Sequence, residues 1–148
     1  MMLHPIEPLP LHHSWPLFDA AVQMDLGRLC DPEDLAFIPE ASSSGRVGHW
    51  ACDLRYDTLS WDGAVYDLLG FPRDAKVERS ESLRVYSEES RVAMERLRAY
   101  AIRYRRGFTL DIMLRAPATA RAMRLICAPI CDDMRVTGLQ GLKVALTN

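Results

Sequence analysis

The sequence predicts an α+β fold, in which one antiparallel sheet carries helices packed on a single face. The first observation is the order of segments, which runs strand, strand, helices, strand, strand, strand along residues 46–148. The second is the shortness of the turns between neighbouring strands, because short turns join strands as antiparallel hairpins. The third is an amphipathic helix between the two groups of strands, whose apolar stripe must be buried against the sheet.

Residues 48–70 predict the first hairpin and the helix that follows it. Apolar side chains alternate with smaller or polar ones in the first strand, and a period of two indicates a half-buried strand. The alternating positions are Trp50, Cys52 and Leu54. A turn at 56–58 leads into a partner strand at 59–61. Asp62 is placed to cap the next helix, and Gly70 is placed to end it.

The second half of the chain predicts a long helix and three further strands. Ser87 is a favourable N-cap, and the helix runs to about Arg106, where Gly107 supplies a C-terminal stop. The helix arginines are expected on its solvated face rather than in a nucleic-acid site, because no aromatic or glycine-rich pattern accompanies them. These are Arg91, Arg96, Arg98, Arg103, Arg105 and Arg106. The strands are expected at 108–115, 121–130 and 135–146.

Residues 1–45 are predicted to form an extension ahead of the domain at 46–148. An amphipathic helix at about 16–30 and a flexible linker at 41–45 follow from the composition. Such a helix cannot stand alone in water, so its apolar face must cover another surface. The outer face of the sheet is the expected partner, in the same subunit or a second one, and a symmetric homodimer is expected through it. Its residues are Val47, His49, Ala51, Leu142, Val144 and Leu146.

Residues 48–73 resemble the opening of a PAS sensor domain, in which G-x-W-x-x-D-L, a turn, L-x-W and V-Y-x-L-L-G-[LF]-P-R follow one another. The matching positions are Gly48, Trp50, Asp53, Leu54, Trp61, Val65, Tyr66, Leu68, Leu69, Gly70, Phe71, Pro72 and Arg73. The resemblance continues less closely over about 46–148. It implies a PAS fold with a five-stranded sheet and a ligand-sized cavity under the long helix. It also implies a signal-transduction module that binds a small ligand or a protein partner.

The end of the chain departs from the family pattern. Thr119 and Ala120 replace the usual D-G turn. Ala145 stands where the closing G-V-V-x-D-I-T motif has an aspartate that often ties the sensor to a downstream helix. Two arrangements remain open, namely the input part of a longer kinase- or cyclase-type protein and a stand-alone domain that signals by binding a partner.

Leu114 and Cys127 are predicted only to face inward, whereas ten other residues are predicted both to face inward and to contact a ligand. These ten are Trp50, Cys52, Val65, Leu69, Leu97, Leu110, Ile112, Met123, Leu125 and Lys143. Nine of them carry no charge, which suits a hydrophobic ligand or a core filled by its own side chains. If the core is filled by its own side chains, the chain is expected to be a structural dimerisation module without a ligand. A fully buried Trp50 predicts a loss of roughly 3–5 kcal/mol for Trp50→Ala.

Lys143 is the charged member of this set and one of two lysines in the chain. Alternation places it inward with Gly141, where flavin-binding relatives in the resembled family carry a ligand-contacting Gln. A lone buried ammonium is costly and must lose its proton or find a partner. One reading is that Lys143 reaches past the strand edge or is turned outward by a bulge. In the other, it meets a ligand carboxylate whose apolar part lies along Leu110, Ile112 and Leu125.

The residues indicate no particular cofactor and no metal. The N-C-R-F-L-Q motif with which some PAS domains form a flavin–cysteine adduct is absent, and 87–107 lacks the histidine that haem-binding relatives use. Cys127 and Cys131 are about 13 Å apart along a strand, too far to share a metal ion. No Ser-His-Asp order, phosphate loop or paired carboxylate indicates catalysis. A non-enzyme is therefore expected, and a small α+β enzyme is the weaker alternative.

Charge and cysteine content bear on partners and compartment. The formal net charge is −2, which provides no drive toward nucleic acid or a membrane surface. No apolar run approaches the ~20 residues that span a bilayer, and the N-terminus lacks the basic start of a signal peptide. Four cysteines without an export signal are typical of the reducing cytoplasm. We expect a bacterial, cytoplasmic sensor whose partner is an effector domain or a signalling protein.

Overall fold

A computed structural model describes residues 13–17, 20 and 47–146. Within these ranges, a six-stranded antiparallel sheet packs against three α-helices, so the predicted α+β class is confirmed. The strands are β1 (His13–Pro16), β2 (Val47–Asp53), β3 (Thr58–Trp61), β4 (Arg106–Met113), β5 (Ala122–Asp132) and β6 (Arg135–Ala145). The helices are α1 (Gly63–Leu69), α2 (Arg79–Ser82) and α3 (Glu88–Tyr104), with a 3₁₀ turn at Leu83–Val85 between α2 and α3.

The strand order in the sheet is β1-β4-β5-β6-β2-β3. Five of these strands lie near their predicted positions, and β1 is a sixth that the extension contributes. The prediction that a helix begins at residues 14–16 is wrong, because they pair with the free edge of β4. Ala20 is helical. The other positions of the expected helix at 16–30, apart from 16 and 17, and the linker at 41–45 lie outside the described residues.

Helix α1 begins and ends where the residues predict. One carboxylate oxygen of Asp62 accepts a hydrogen bond from the backbone N–H of Val65 at 3.1 Å, and the other accepts from that of His49 at 2.9 Å. The cap therefore also ties the helix to β2. Gly70 ends the helix with φ at 82°, a left-handed conformation that glycine adopts without a steric penalty.

Helix α3 has the predicted start but a different end. Ser87 Oγ accepts a hydrogen bond from the backbone N–H of Ser90 at 3.2 Å. Arg105, with φ at 55°, takes the left-handed position after the last turn, so the prediction that Gly107 stops the helix is wrong. Gly107 lies in β4, where a Cβ atom would come 2.1 Å from the indole ring of Trp15. The absence of a side chain there leaves room for that ring.

The alternation of side chains along β5 and β6 separates two apolar clusters. The inner cluster lies between the sheet and the helices and includes Leu125, Cys127 and Leu139. The outer cluster lies on the opposite face. It consists of Trp15, Ile126, Ala128 and Leu142, with Ala20, Val47 and Val144 partly buried around it. The described part of the extension thus packs on the outer face within one chain.

Candidate ligand pocket

A cavity lies between the inner face of the sheet and the segment from α2 to α3, and we call it the pocket. Its volume is about 50 Å³, which is room for a few water molecules or a small organic molecule. Strands β2 to β6 each contribute to its wall, and α2, the 3₁₀ turn and α3 close it from the other side. The pocket is therefore located where the predicted cavity under the long helix was expected.

Four of the ten residues predicted to contact a ligand line the pocket. They are Trp50, Cys52, Leu125 and Lys143. The other six belong to the inner cluster but do not line the pocket; they are Val65, Leu69, Leu97, Leu110, Ile112 and Met123. Along β4 and β5, the pocket lies at the level of Phe108 and Cys127, which are register partners. Alternation predicts which side chains point to the inner face, but it does not predict where along the strand those side chains leave a cavity.

Several lining residues were not among the predicted ten. They include Arg79, Ser82, Leu83, Tyr86, Met94, Arg98, Phe108, Cys127 and Leu139. The expectation that Arg98 lies on a solvated helix face is wrong, since it is partly buried and lines the pocket. Tyr86 had no periodic signal because it follows the 3₁₀ turn and joins the sheet through an isolated bridge to Leu114. Cys127 was predicted to face inward but not to contact a ligand, and Phe108 shares the inward alternation of its strand, so this pattern could have included both.

The side chain of Lys143 points into the pocket and is 6% exposed. Its Nζ atom donates a hydrogen bond to Tyr86 Oη at 3.2 Å. The same atom lies 5.0 Å from the ring centroid of Trp50 and 5.9 Å from that of Tyr86. Of the two readings of Lys143, the structure thus excludes the outward one. No ion pair among the described residues involves Lys143.

The pocket also contains an unused neutral donor and a second unpaired cation. The indole Nε1 of Trp50 is shielded from solvent and has no hydrogen-bond partner among the described residues. Arg98 lines the pocket and takes part in no ion pair of the described ranges, whereas Arg79 is paired with Glu95. The described residues of the lining include no carboxylate. The pocket wall is therefore apolar with a surplus of positive charge and of N–H donors.

The Cys127 thiol in the pocket is unreactive. Burial raises its pKa well above the ordinary value of 9.0, and the positive charges of Lys143 and Arg98 oppose this effect only in part. The thiol therefore stays protonated near neutral pH and is a weak nucleophile. Among the described residues, no group of three or more His, Cys, Asp or Glu side chains is arranged to hold a metal ion. The arrangement favours binding over bond-making chemistry.

Comparison with solved structures establishes the fold. No family model and no curated protein sequence matches the chain. A domain assigned to a light and redox sensing histidine kinase from Haloarcula marismortui matches with a TM-score of 0.62 at 13% identity, over 76% of this chain and 99% of that one. The N-terminal domain of a diguanylate cyclase with PAS/PAC sensor from Marinobacter aquaeolei matches with a TM-score of 0.59 at 13% identity, over 67% and 94%.

A PAS domain of a protein from Colwellia psychrerythraea has a TM-score of 0.56 at 14% identity, over 76% of this chain and 97% of that domain. The chain has the PAS fold. The five strands that the resemblance implies are β2 to β6, and β1 extends that sheet at the edge of β4. No helix within the described ranges is long and apolar enough to cross a membrane.

Proposed function

We propose that this chain is a sensor module for signal transduction and that its input is a small molecule bound in the pocket. The observation that carries the proposal is a pair of donors with unused capacity among the described residues, Lys143 Nζ and Trp50 Nε1, on two residues that line the pocket. Buried polar groups in native proteins almost always have partners, so unused donors beside a cavity indicate an absent acceptor. The PAS fold supports the same proposal, because the solved structures that share it include sensory domains.

The ligand would act on the packing between the sheet and the segment from α2 to α3. That segment contributes Tyr86 and Arg98 to the pocket wall. Strands β5 and β6 line the pocket with side chains of one face and contribute side chains of the other face to the outer cluster. A change in the pocket can therefore reach the outer face through strands that the two faces share. We propose an output through a homodimer formed by the N-terminal segment and the outer face. The partner would be an effector, as in the kinase and cyclase neighbours, in the cytoplasm.

The second candidate is a structural dimerisation module without a ligand. The small volume of the pocket, about 50 Å³, favours it, because typical small-molecule sites are several-fold larger at ~300–1,000 Å³. In this alternative, the unused donors are bound to water. We propose no catalytic activity, since the part of the wall that the structure describes carries no carboxylate base and Cys127 remains a neutral thiol.

Native mass spectrometry of freshly purified protein tests the proposal. We expect a retained small molecule that is lost on denaturation. The variant Cys127→Met enlarges a side chain on the pocket wall and should reduce retention, whereas Cys131→Met changes an exposed cysteine of the same strand and should not. Wild-type protein with no retained mass, and no thermal stabilisation by any compound of a metabolite set, would favour the dimerisation module.

A further inference from the structure

The positive charge of Lys143 and Arg98 in the pocket is not balanced by an ion pair among the described residues. Lys143 is buried, and its ammonium group has three N–H donors, of which the described contacts use one, on Tyr86 Oη. Arg98 also lines the wall and takes part in no ion pair of the described ranges. Arg79, the third cation of the lining, is neutralised by Glu95. A buried charge without a counter-ion is costly, so the site favours an anionic guest.

Two donors point to the kind of anion. Lys143 Nζ lies 5.0 Å from the ring centroid of Trp50, whose Nε1 has no partner among the described residues. Both residues line the same pocket. A carboxylate has two oxygens that accept several hydrogen bonds and can be shared between these donors.

Much of the rest of the wall is apolar, and the small volume of the pocket limits the size of the guest. Met94, Phe108, Leu125 and Leu139 supply hydrocarbon and aromatic surface around a volume of about 50 Å³. Such a wall stabilises a short apolar chain by removing it from water. Leu110 and Ile112, which the sequence suggested as contacts for this chain, lie outside the pocket lining.

From these contacts, we propose that the pocket ligand is a small monocarboxylic acid, with its carboxylate on Lys143 and Trp50 and its short apolar chain among Phe108, Leu125 and Leu139. This inference rests on the proposed sensor function and names the class of its ligand. Arg98 adds a second positive charge beside the carboxylate. The specificity follows from the chemistry, because an isosteric neutral amide would leave the ammonium without a counter-ion.

In the competing account, contacts within the protein stabilise the ammonium of Lys143. The ammonium of Lys143 lies within about 6 Å of two aromatic ring centroids, 5.0 Å for Trp50 and 5.9 Å for Tyr86. Cation–π attraction at this distance stabilises a desolvated ammonium without any guest. In that case Lys143 is a structural residue, and acids and amides should interact with the protein alike.

The test measures binding of propionate, butyrate and hexanoate, and of the matching neutral amides, by calorimetry and thermal shift. We expect the acids and not the amides to bind the wild type. Lys143→Met should weaken acid binding about 10- to 100-fold, because a hydrogen-bonded charge is lost. Trp50→Phe keeps the ring but removes the N–H, and should weaken binding about 3- to 10-fold. Lys76→Met, which alters the exposed second lysine, is the matched control and should bind like the wild type.

Three outcomes would overturn the carboxylate assignment. Equal binding of acids and amides would do so and would leave ligand sensing intact. Equal binding of acids to wild type and Lys143→Met would place the acids elsewhere on the protein. Binding of no acid to a folded wild type would also overturn it, and the mass-spectrometric search for a retained molecule then decides the sensor proposal separately. If Lys143→Met does not fold, Lys143→Gln and Trp50→Phe provide the same comparison.

Discussion

The two faces of the sheet share their strands but differ in how their polar groups are satisfied. On the outer face, Trp15 Nε1 donates to Thr109 Oγ1 at 3.1 Å. Also on that face, the Arg124 guanidinium donates two hydrogen bonds to the Asp111 carboxylate, at 2.7 and 3.0 Å. On the inner face, Trp50 Nε1 has no partner in the described part of the chain. The indole N–H is therefore hydrogen-bonded in Trp15 but has no partner among the described residues in Trp50.

This difference indicates that the outer face contributes to stability and that the inner face is suited to binding. A donor that already has its partner contributes to the folded state and leaves nothing for a ligand. A buried donor without a partner weakens the fold unless a guest supplies the acceptor. The inner face combines such a donor with the buried ammonium of Lys143 and a cavity. On the outer face, the donors of Trp15 and Arg124 are paired, and we assign this face to the attachment of β1.

The largest expected effect is on the outer face. Trp15→Ala removes a side chain that is 2% exposed, and should lower the free energy of unfolding by about 3–5 kcal/mol. Trp50→Ala should cost less, about 1–2 kcal/mol, because Trp50 is half-buried rather than enclosed as the alternation suggested. Urea unfolding of the two variants measures both values. A larger loss for Trp50→Ala would contradict the assignment of stability to the outer face.

The next effect concerns the fit of Trp15 over Gly107. Gly107→Ala should cost about 1–3 kcal/mol, because the new methyl group would overlap the indole ring. In a Trp15→Ala background, the same change should cost almost nothing, so a double-mutant cycle in urea should give a clear coupling energy. Gly63→Ala is the control, since the atoms nearest to its Cβ would belong to the flexible end of Arg73. Additive effects of the two changes would show that the indole does not lie over Gly107.

A smaller effect of opposite sign is expected on the inner face. Lys143→Met replaces a buried ammonium by an apolar chain of similar length, and should raise the stability of the ligand-free protein by about 1 kcal/mol. Lys76→Met changes an exposed lysine and should stay within about 0.5 kcal/mol of the wild type. Thermal unfolding after removal of bound small molecules compares them. A loss of stability in Lys143→Met would mean that the contacts to Trp50 and Tyr86 outweigh the cost of burial.

The smallest effect is a pH dependence on the inner face. Burial raises the pKa of the Cys127 thiol above its ordinary value of 9.0, so the folded chain keeps this proton when the unfolded chain loses it. The resulting stability is present below about pH 9 and falls as the pH rises further, because the unfolded state then binds fewer protons. Cys127→Ala should flatten this alkaline decline, whereas Cys131→Ala, at an exposed position, should leave it in place. An unchanged decline in Cys127→Ala would refute the assignment.

The sequence predicted the inner and outer faces well but the pocket only in part. Period-two alternation placed Trp50, Leu125 and Lys143 on the inner face, and they do line the pocket. It placed Leu110 and Ile112 on the same face, and they fill the core beside it. The position of a void depends on how helix and strand side chains fit together, and no periodic pattern records that fit. The side chain of Arg98 was predicted to lie on a solvated helix face because helix periodicity does not record that fit either.

What the sequence by itself determined are the features that depend on neighbours a few residues apart. The caps at Asp62 and Ser87 and the helix stop at Gly70 follow from local geometry. The direction of Lys143 stayed open between two readings until the structure placed its side chain in the pocket. Only the tertiary structure decided the rest. Trp15 meets Thr109 across 94 positions of sequence, and Lys143 meets Tyr86 across 57. Such contacts arise when distant segments are brought together by burial of apolar surface, which is non-directional and therefore leaves no short-range signature.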